Sequence, residues 1–479
     1  MLPRYWRAFN KWIRRASVGS ALLTGRRPHY NDPSSMKRAS LHTLGCRVNQ
    51  AETALLESRL RRNGYEVVEF GKPTDLLVVN TCSVTEEAER TCRYVIRRTL
   101  RHSPEAYIAV TGCYAQTGLH ELRTIPGVDL IVGNQFKSDL PSLLPSAGQL
   151  RKRSRADLFH SPTIDREDFS HADYADPGST RALVKIQDGC NVMCSFCLIP
   201  FARGRERSRV LEDVLKEAEF LAAKGYRELV LTGVNLGQYH HDGRDLSALI
   251  NCLEQVPGLS RIRISSIEPT TVTDELLSYM ASSTKLCPYL HIPLQSGDDG
   301  ILSAMHRPYR VKDYVSLIDR ACAAVPGLGV GTDLMVGFPG ESDEAFSKTL
   351  RLVETLPFSY FHVFPYSPRP GTAAQKLKDQ VPVSVARNRA KQLSELSNRK
   401  RMAFAEQFIG RTLPVLFENT VVEGFRIGIT PNYLRVAAPA YSAEVNQEHT
   451  VRICGASDRW AVGMIAQPQT RASGKVPVA

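Results

Sequence analysis

The densest chemistry in the chain is the segment GCNVMCSFC, which sets Cys190, Cys194 and Cys197 in a C-x3-C-x2-C array. Three thiolates at this spacing suit three irons of a [4Fe–4S] cube and leave the fourth iron open to a ligand of its own. Structural zinc prefers four ligands, commonly in paired knuckles, and no matching fourth ligand stands nearby. A second set is dispersed: Cys46, Cys82 and Cys113 each end an apolar run, in HTLGC, VVNTC and AVTGC. As parallel strands, those runs would emerge on one sheet edge and bring the three thiols together. The bland alternative is three unrelated buried cysteines, a common fate of that residue. Cys92, Cys252, Cys287, Cys322 and Cys454 show no such relation and are read as packing residues. An odd total of 11 cysteines, on a long chain without a secretion signal, favours metal or redox chemistry over a disulfide framework.

The elements that must position these thiols form an α/β chain of three parts. From Ala39 the pattern alternates: SLHTLG, DLLVVNT, YIAVTG and GVDLIVGN read as strands, with amphipathic helices such as AETALLESRLRRNG and EEAERTCRYVIRRTL between them. This predicts an open, mainly parallel α/β domain over residues 37–145. Residues 146–178, with the basic run 151–155 followed by polar, acidic and proline positions, read as an exposed linker. Residues 179–407 hold six strand candidates (LVKIQD, ELVLTG, RIRISSI, YLHIPLQ, GVGTDLMVG, YFHVFPY) alternating with helices, which predicts a partial (β/α)6 barrel with Cys190, Cys194 and Cys197 at its active face. Residues 408–470 turn to short β runs, the texture of a small oligonucleotide-binding barrel.

Composition bounds the partners. With 43% hydrophobic and 23% charged residues, the chain can bury a sizeable core. No apolar run is long enough to cross a membrane, so no membrane partner is expected. The net charge of +12 suggests a polyanion. However, residues 1–35 hold seven Lys/Arg against one acid, which leaves the remainder at only +6. That basic extension carries no motif, and Met36, just before the first strand, suggests a start codon placed too far upstream.

The C-x3-C-x2-C loop after the first strand of such a barrel resembles the radical S-adenosylmethionine (SAM) superfamily. There the open iron chelates SAM, and an electron from the cluster cleaves it to a 5′-deoxyadenosyl radical. With the three dispersed cysteines and the terminal β domain, the chain resembles the methylthiotransferases of that superfamily over about residues 38–466. The resemblance implies two [4Fe–4S] clusters, SAM consumed twice per methylthio group, and a C-terminal TRAM domain. It also implies an electron-donor protein and a sulfur source as partners, and a cytoplasmic setting.

Within the family, TLGCRVNQAET and CLIPFARGRERSR are similar to the branch acting on N6-threonylcarbamoyladenosine in tRNA. Isopentenyladenosine in tRNA and an aspartate of a ribosomal protein are the sibling substrates. A non-catalytic iron–sulfur protein that binds RNA or senses redox state is the reading from another class. Expected SAM contacts lie at the strand ends: Thr232, Gly233 and Asn235; then Ser265, Ser266 and Glu268; then Gln295 and Ser296; then Asp333. The alternate arginines Arg203, Arg205, Arg207 and Arg209 are expected on substrate phosphate or cofactor, against the plainer reading of a solvated or acid-paired run. Arg426, Tyr433 and Arg435 of the terminal barrel are expected on RNA.

Overall fold

Strands β3 (Leu76–Thr81) and β4 (Tyr107–Gly112) are buried along their whole length. Their near-continuous apolar runs are what a parallel strand covered on both faces requires. Leu77 and Val79 join one core cluster, while Leu76 and Val78 join another on the opposite face. With β1 (Arg38–Thr43), β2 (Glu66–Val68), β5 (Leu130–Val132) and β6 (Asp157–Phe159) they form a parallel sheet of order β2-β1-β3-β4-β5-β6. The chain runs from β1 outward to β2 and then returns to the other side as β3. A topological switch point, the usual place for a ligand, therefore lies between the ends of β1 and β3.

Helix α1 (Arg47–Arg62) buries Val48, Leu55, Leu56 and Leu60. Helix α2 (Glu86–His102) buries Cys92, Val95, Ile96 and Thr99, the i, i+3, i+4, i+7 stripe of an amphipathic helix. Thr85 caps α2 by accepting from the Ala88 amide at 3.3 Å. Glu86, Glu87 and Glu89 in its first turn suit the positive end of the helix dipole.

The computed structural model describes residues 36–164, 174–176 and 178–466. The described residues from Lys37 onward belong to one compact unit. The 1–35 extension lies outside the described residues.

The sequence reading is corrected in one stretch. Residues 146–164, read as linker, contribute β6, which pairs in parallel with β5. The basic run is tied down there: Lys152 Nζ lies 2.5 Å from the buried Asp129 carboxylate, and the Arg153 amide donates to the same group at 2.7 Å.

In the central barrel, β7 (Arg181–Lys185) leads into a short antiparallel pair, β8 (Gln187–Asp188) with β9 (Arg207–Ser208), which brackets the cysteine loop. Strand β10 (Glu228–Thr232) pairs with β7. A small hairpin of β11 (His240–His241) and β12 (Arg244–Asp245) follows, and β13 (Arg261–Ile264) pairs with β10. A single parallel bridge, Ile262 to Leu286, links this half to β14 (Tyr289–His291), β15 (Gly329–Val336) and β16 (Tyr360–Pro365). Six parallel strands thus curve around one large core, and no pairing joins β7 to β16 among the described residues.

The C-terminal strands β17 (Thr412–Val422), β18 (Phe425–Ile429), β19 (Arg435–Pro439), β20 (Glu448–Ala456) and β21 (Ala461–Ile465) close into a barrel of order β17-β18-β19-β21-β20. Its β18–β19 turn, residues 430–434, inserts into the N-terminal mouth of the central barrel. Arg261 donates to the Ile429 carbonyl at 2.8 Å, and Arg263 to those of Pro431 and Thr430 at 2.7 and 3.1 Å. Gly329, first residue of β15, has no side chain because the Asn432 carbonyl occupies that space.

Candidate functional site

Cys82 and Cys113 follow β3 and β4 directly and Cys46 stands just beyond β1, after Leu44 and Gly45, so the common strand direction delivers them to one sheet edge. Gly45 shows how closely they approach. At φ +96° it holds a conformation that favours glycine, and a Cβ there would lie 2.8 Å from Cys82 Sγ. Asn49, buried in α1, ties the edge by donating to the Leu44 and Thr81 carbonyls at 2.8 and 2.9 Å. Burial pushes the Cys82 thiol up to about 12, with neighbouring Cys113 and Cys46 adding to the shift. The Val84 amide points at Cys82 Sγ (3.5 Å) and the Asn134 amide at Cys113 Sγ (3.8 Å).

The second loop hangs from β8. Gly189 (φ +73°) lies against the Arg205 carbonyl, which leaves no room for a side chain. Ser195 fastens the loop's middle, its amide donating to Met305 O at 3.0 Å and its hydroxyl to Ala304 O at 2.7 Å. Cys190 and Cys197 receive backbone N–H donors from Val192 and Ile199, each at 3.4 Å. Cys194 receives Arg307 Nη1 at 3.2 Å. Burial raises all three thiols, Cys197 to about 12.

Both sets suit an iron–sulfur cube by the chemistry of their donors. Each has three thiols near enough to influence one another, and each has N–H groups aimed at sulfur, the outer shell that tunes such a centre. No group of three His, Cys, Asp or Glu side chains among the described residues is placed to hold a single metal ion. A cube spreads its thiolates over separate irons, so a looser arrangement is what it needs.

One buried ionic junction brings the two sets together. Glu52, on α1, meets Lys185 of β7 at 2.6 Å, Arg203 at 3.0 and 3.1 Å, and Lys137. Arg203 also reaches Asp188 (3.0 Å) and Asn49 (2.5 Å). Burial alone would raise the Glu52 carboxyl, but Arg203, Lys137 and Lys185 hold it well below the usual carboxylate range. Asn134 completes the link. Its amide nitrogen, close to Cys113 Sγ, donates to Ala202 O at 2.7 Å in the helix Ile199–Arg203.

This junction corrects the reading of the arginine run. Arg203, 2% exposed, is spent on Glu52 and Asp188. Arg209, equally buried, pairs with Asp213 (2.6 Å) and Glu217. Arg207 lies 3.3 Å from Asp188, and only Arg205 of the four is exposed. Tyr433 is likewise not on an outer face. It stacks on Tyr289 with centroids 4.3 Å apart and accepts from Arg47 Nη2 at 2.7 Å. Arg426 is half-buried near the Glu418 carbonyl, while Arg435 is exposed.

The expected SAM contacts divide. Thr232 is buried, and Gly233 packs on Gln187, whose Oε1 accepts from the Val234 and Asn235 amides at 2.8 and 2.9 Å. Asn235 Oδ1 faces the Glu268 amide at 3.4 Å, while its buried Nδ2 has no hydrogen-bond partner among the described residues. That is an orphan donor of the kind a ligand satisfies. Glu268 pairs with Arg307, the residue that also touches Cys194. Ser265 is buried and Ser266 half-buried at the end of β13, where the Ser266 carbonyl accepts from the Leu236 amide at 3.5 Å. Gln295 holds a positive φ of 68° at the β14 end, its amide donating to Asp333 O at 2.9 Å. Asp333 meets His291 Nε2 at 3.1 Å. Ser296 turns away from these groups, toward Thr349. Sequence reasoning missed Gln187, Arg307 and Glu52; the last stands in the quoted VNQAET motif, without an indication of its partners.

Two family models match the chain: the radical SAM superfamily over residues 184–353, and Uncharacterized protein family UPF0004 over residues 38–133. The chain is 40% identical over 409 residues to threonylcarbamoyladenosine tRNA methylthiotransferase MtaB of Bacillus subtilis (strain 168), covering 84% of this chain and 90% of that protein. It is 34% identical over 394 residues to tRNA-2-methylthio-N(6)-dimethylallyladenosine synthase of Wolbachia pipientis subsp. Culex pipiens (strain wPip), covering 80% and 89%. Among solved structures, the radical S-adenosylmethionine methyltransferase TsrM of Kitasatospora setae is similar in fold. It is 16% identical with a TM-score of 0.52, covering 81% of this chain and 79% of that one.

Proposed function

The chain belongs to the radical SAM methylthiotransferase family, and from that premise we infer that it transfers a methylthio group to C2 of N6-threonylcarbamoyladenosine beside the anticodon in tRNA. One observation carries the reading: two three-cysteine sets, each with N–H donors to sulfur, are joined by a single buried ionic junction. The greater identity to the threonylcarbamoyladenosine enzyme, 40% against 34% for the dimethylallyladenosine one, favours that substrate.

Cys190, Cys194 and Cys197 would hold one [4Fe–4S] cluster, and Cys46, Cys82 and Cys113 the other. When bound, the clusters and SAM supply one-electron cleavage, the methyl group and sulfur handling, which no side chain of the protein offers. The chain's own residues place and enclose these groups. Arg307 holds Cys194 and Glu268 in one geometry. Gln187 shapes the Gly233–Asn235 turn so that Asn235 Nδ2 is left as a donor for SAM. Glu52 and Arg203 fix the separation of the two cysteine sets while excluding water. A reduced electron-donor protein and a sulfur source complete the reaction, which takes place where tRNA is found, in the cytoplasm. The terminal barrel is read as a TRAM domain that contacts RNA, with Arg435 and not Tyr433 facing outward.

The test is nucleoside mass spectrometry of tRNA from cells with and without the gene, and of tRNA treated with the anaerobically reconstituted protein. The 2-methylthio form of threonylcarbamoyladenosine should vanish without the gene and return with the protein. Its persistence in the deletion strain, or a gain of the dimethylallyl product instead, overturns the assignment.

A further inference from the structure

Helix α2 carries a feature that neither the cysteine sites nor the ionic junction uses. Its inner stripe is apolar, and its outer face holds Arg90, Arg93, Tyr94, Arg97, Arg98 and Arg101. These six side chains line a cleft of about 290 Å³. Ordinary surface helices intersperse acids with bases, forming pairs one turn apart. Here the acids stop at Glu89, and residues 90–102 contain none. Arg90 still reaches Glu86 and Glu87, at 3.9 and 3.6 Å, and the Arg98 guanidinium lies over the Phe70 ring at 5.4 Å. Arg93, Arg97 and Arg101 have no carboxylate within ion-pair distance among the described residues. They sit at successive turns of one face, where like charges oppose one another unless an anion is supplied.

Tyr94 stands among them 56% exposed, which is unusual for a large ring with no packing duty. Guanidinium forks match phosphate oxygens in pairs, and an exposed aromatic gives a stacking face to a base or ribose. The position suits the same partner. The helix starts beside Cys82, and Glu89 in its first turns pairs with Arg369 just beyond β16. The helix's 17 residues span roughly 25 Å.

Resting on the tRNA reading above, we propose that the α2 arginine cleft is a docking track for the phosphate backbone of tRNA, engaged when the modified nucleotide reaches the cysteine edge. The arginine charges replace counterions on the RNA. The contact is therefore independent of sequence and sensitive to salt.

The experiment measures tRNA affinity across a salt series for reconstituted full-length protein and for the triple variant Arg93→Gln, Arg97→Gln, Arg101→Gln. Each phosphate contact contributes about 0.7–0.9 to the log–log salt slope. The triple variant should therefore lose roughly 2–3 units of slope, equivalent to a share of about 20- to 40-fold in the affinity lost between 50 and 200 mM salt. The matching triple Arg→Lys variant keeps the charge and should keep the slope. Reductive SAM cleavage without tRNA, iron content and thermal unfolding serve as controls for folding. An unchanged slope in the Gln variant overturns the track. So does an unchanged slope together with lost turnover on an acidic donor protein and normal turnover on a chemical reductant, which would assign the face to the donor. If the parent protein itself fails to bind tRNA, the functional reading falls and the track with it; normal parent binding with an unchanged variant slope removes the track alone.

Discussion

Replacing Glu52 by glutamine tests whether the buried junction is what holds the two cysteine sets together. In the parent, Lys137, Lys185, Arg203 and Arg207 gather around two carboxylates, Glu52 and Asp188. The variant keeps the shape and one acceptor oxygen but removes one of the two anions these cations gather around. Removing one partner of a buried ion pair costs about 3–5 kcal/mol, because the other charge stays desolvated and unpaired. The amide retains part of the hydrogen bonding, so the lower figure applies. A loss of about 3 kcal/mol is roughly a hundredfold in the closed-to-open ratio of the junction. The readout is amide exchange in α1, most directly at Val48, Asn49, Leu55 and Leu56, with thermal unfolding alongside.

The same residue sets an acid limb. Its carboxyl is depressed in the folded state, so the stabilisation is complete above the ordinary carboxylate pKa and is lost as pH falls through the lower, folded value. The parent should therefore weaken below about pH 4.5 by a margin that the variant lacks. Adding Lys185→Met should restore part of the loss by removing the surplus charge. Parent-like exchange and an unaltered acid limb in Glu52→Gln would refute the reasoning, as would strictly additive losses in the double variant.

Three further outcomes are expected. Arg307→Gln withdraws a cation from Cys194, so the reduced, more negative cluster is less stabilised and its midpoint potential should fall. A differential of about 1–2 kcal/mol corresponds to roughly 40–90 mV for one electron, and a potential equal to that of the parent by electron paramagnetic resonance titration would argue against the contact. Cys190→Ala, Cys194→Ala or Cys197→Ala should abolish reductive SAM cleavage, whereas the triple change Cys46→Ala, Cys82→Ala, Cys113→Ala should leave 5′-deoxyadenosine detectable and stop methylthio transfer. Methylthiolated tRNA from that triple variant would contradict the second site. Tyr433→Ala should lower thermal stability through loss of its stack on Tyr289 and its Arg47 bond, about 1–2 kcal/mol together, and an unchanged melting temperature would remove Tyr433 from the interior.

Period and spacing made the architecture legible. The apolar runs before Cys46, Cys82 and Cys113 are parallel strands, and a shared direction is enough to bring three thiols to one edge. The short strands β2 and β6 escaped because three residues, EVV or DLF, carry too little periodicity to separate from a loop. The arginine run misled because its partners are remote: Glu52 stands 151 positions from Arg203, and nothing local marks the pairing. Arg209 pairs within its own neighbourhood, at Asp213 and Glu217, and a check of i+4 and i+8 would have found it. Arg307 has no motif, since it reaches Cys194 across 113 positions through folding alone. Tyr433 carried the composition of an RNA-facing residue, but its positive φ of 71° belongs to a tight turn buried in another domain.

That turn has a consequence for biosynthesis. Arg261, Arg263 and the buried Glu228 lie in the first residues of β13 and β10, and the carbonyls that accept from the two arginines come from Pro414 and residues 429–431. While the ribosome is still translating the segment before β18, the central barrel has its six strands but an open floor of desolvating guanidinium groups. N-terminal regions generally fold first during synthesis, so the catalytic barrel must wait, partly hydrated, for a stopper encoded about 170 residues downstream of Arg261. A message truncated before that point yields a chain that contains both three-cysteine sets and cannot seal the chamber behind them.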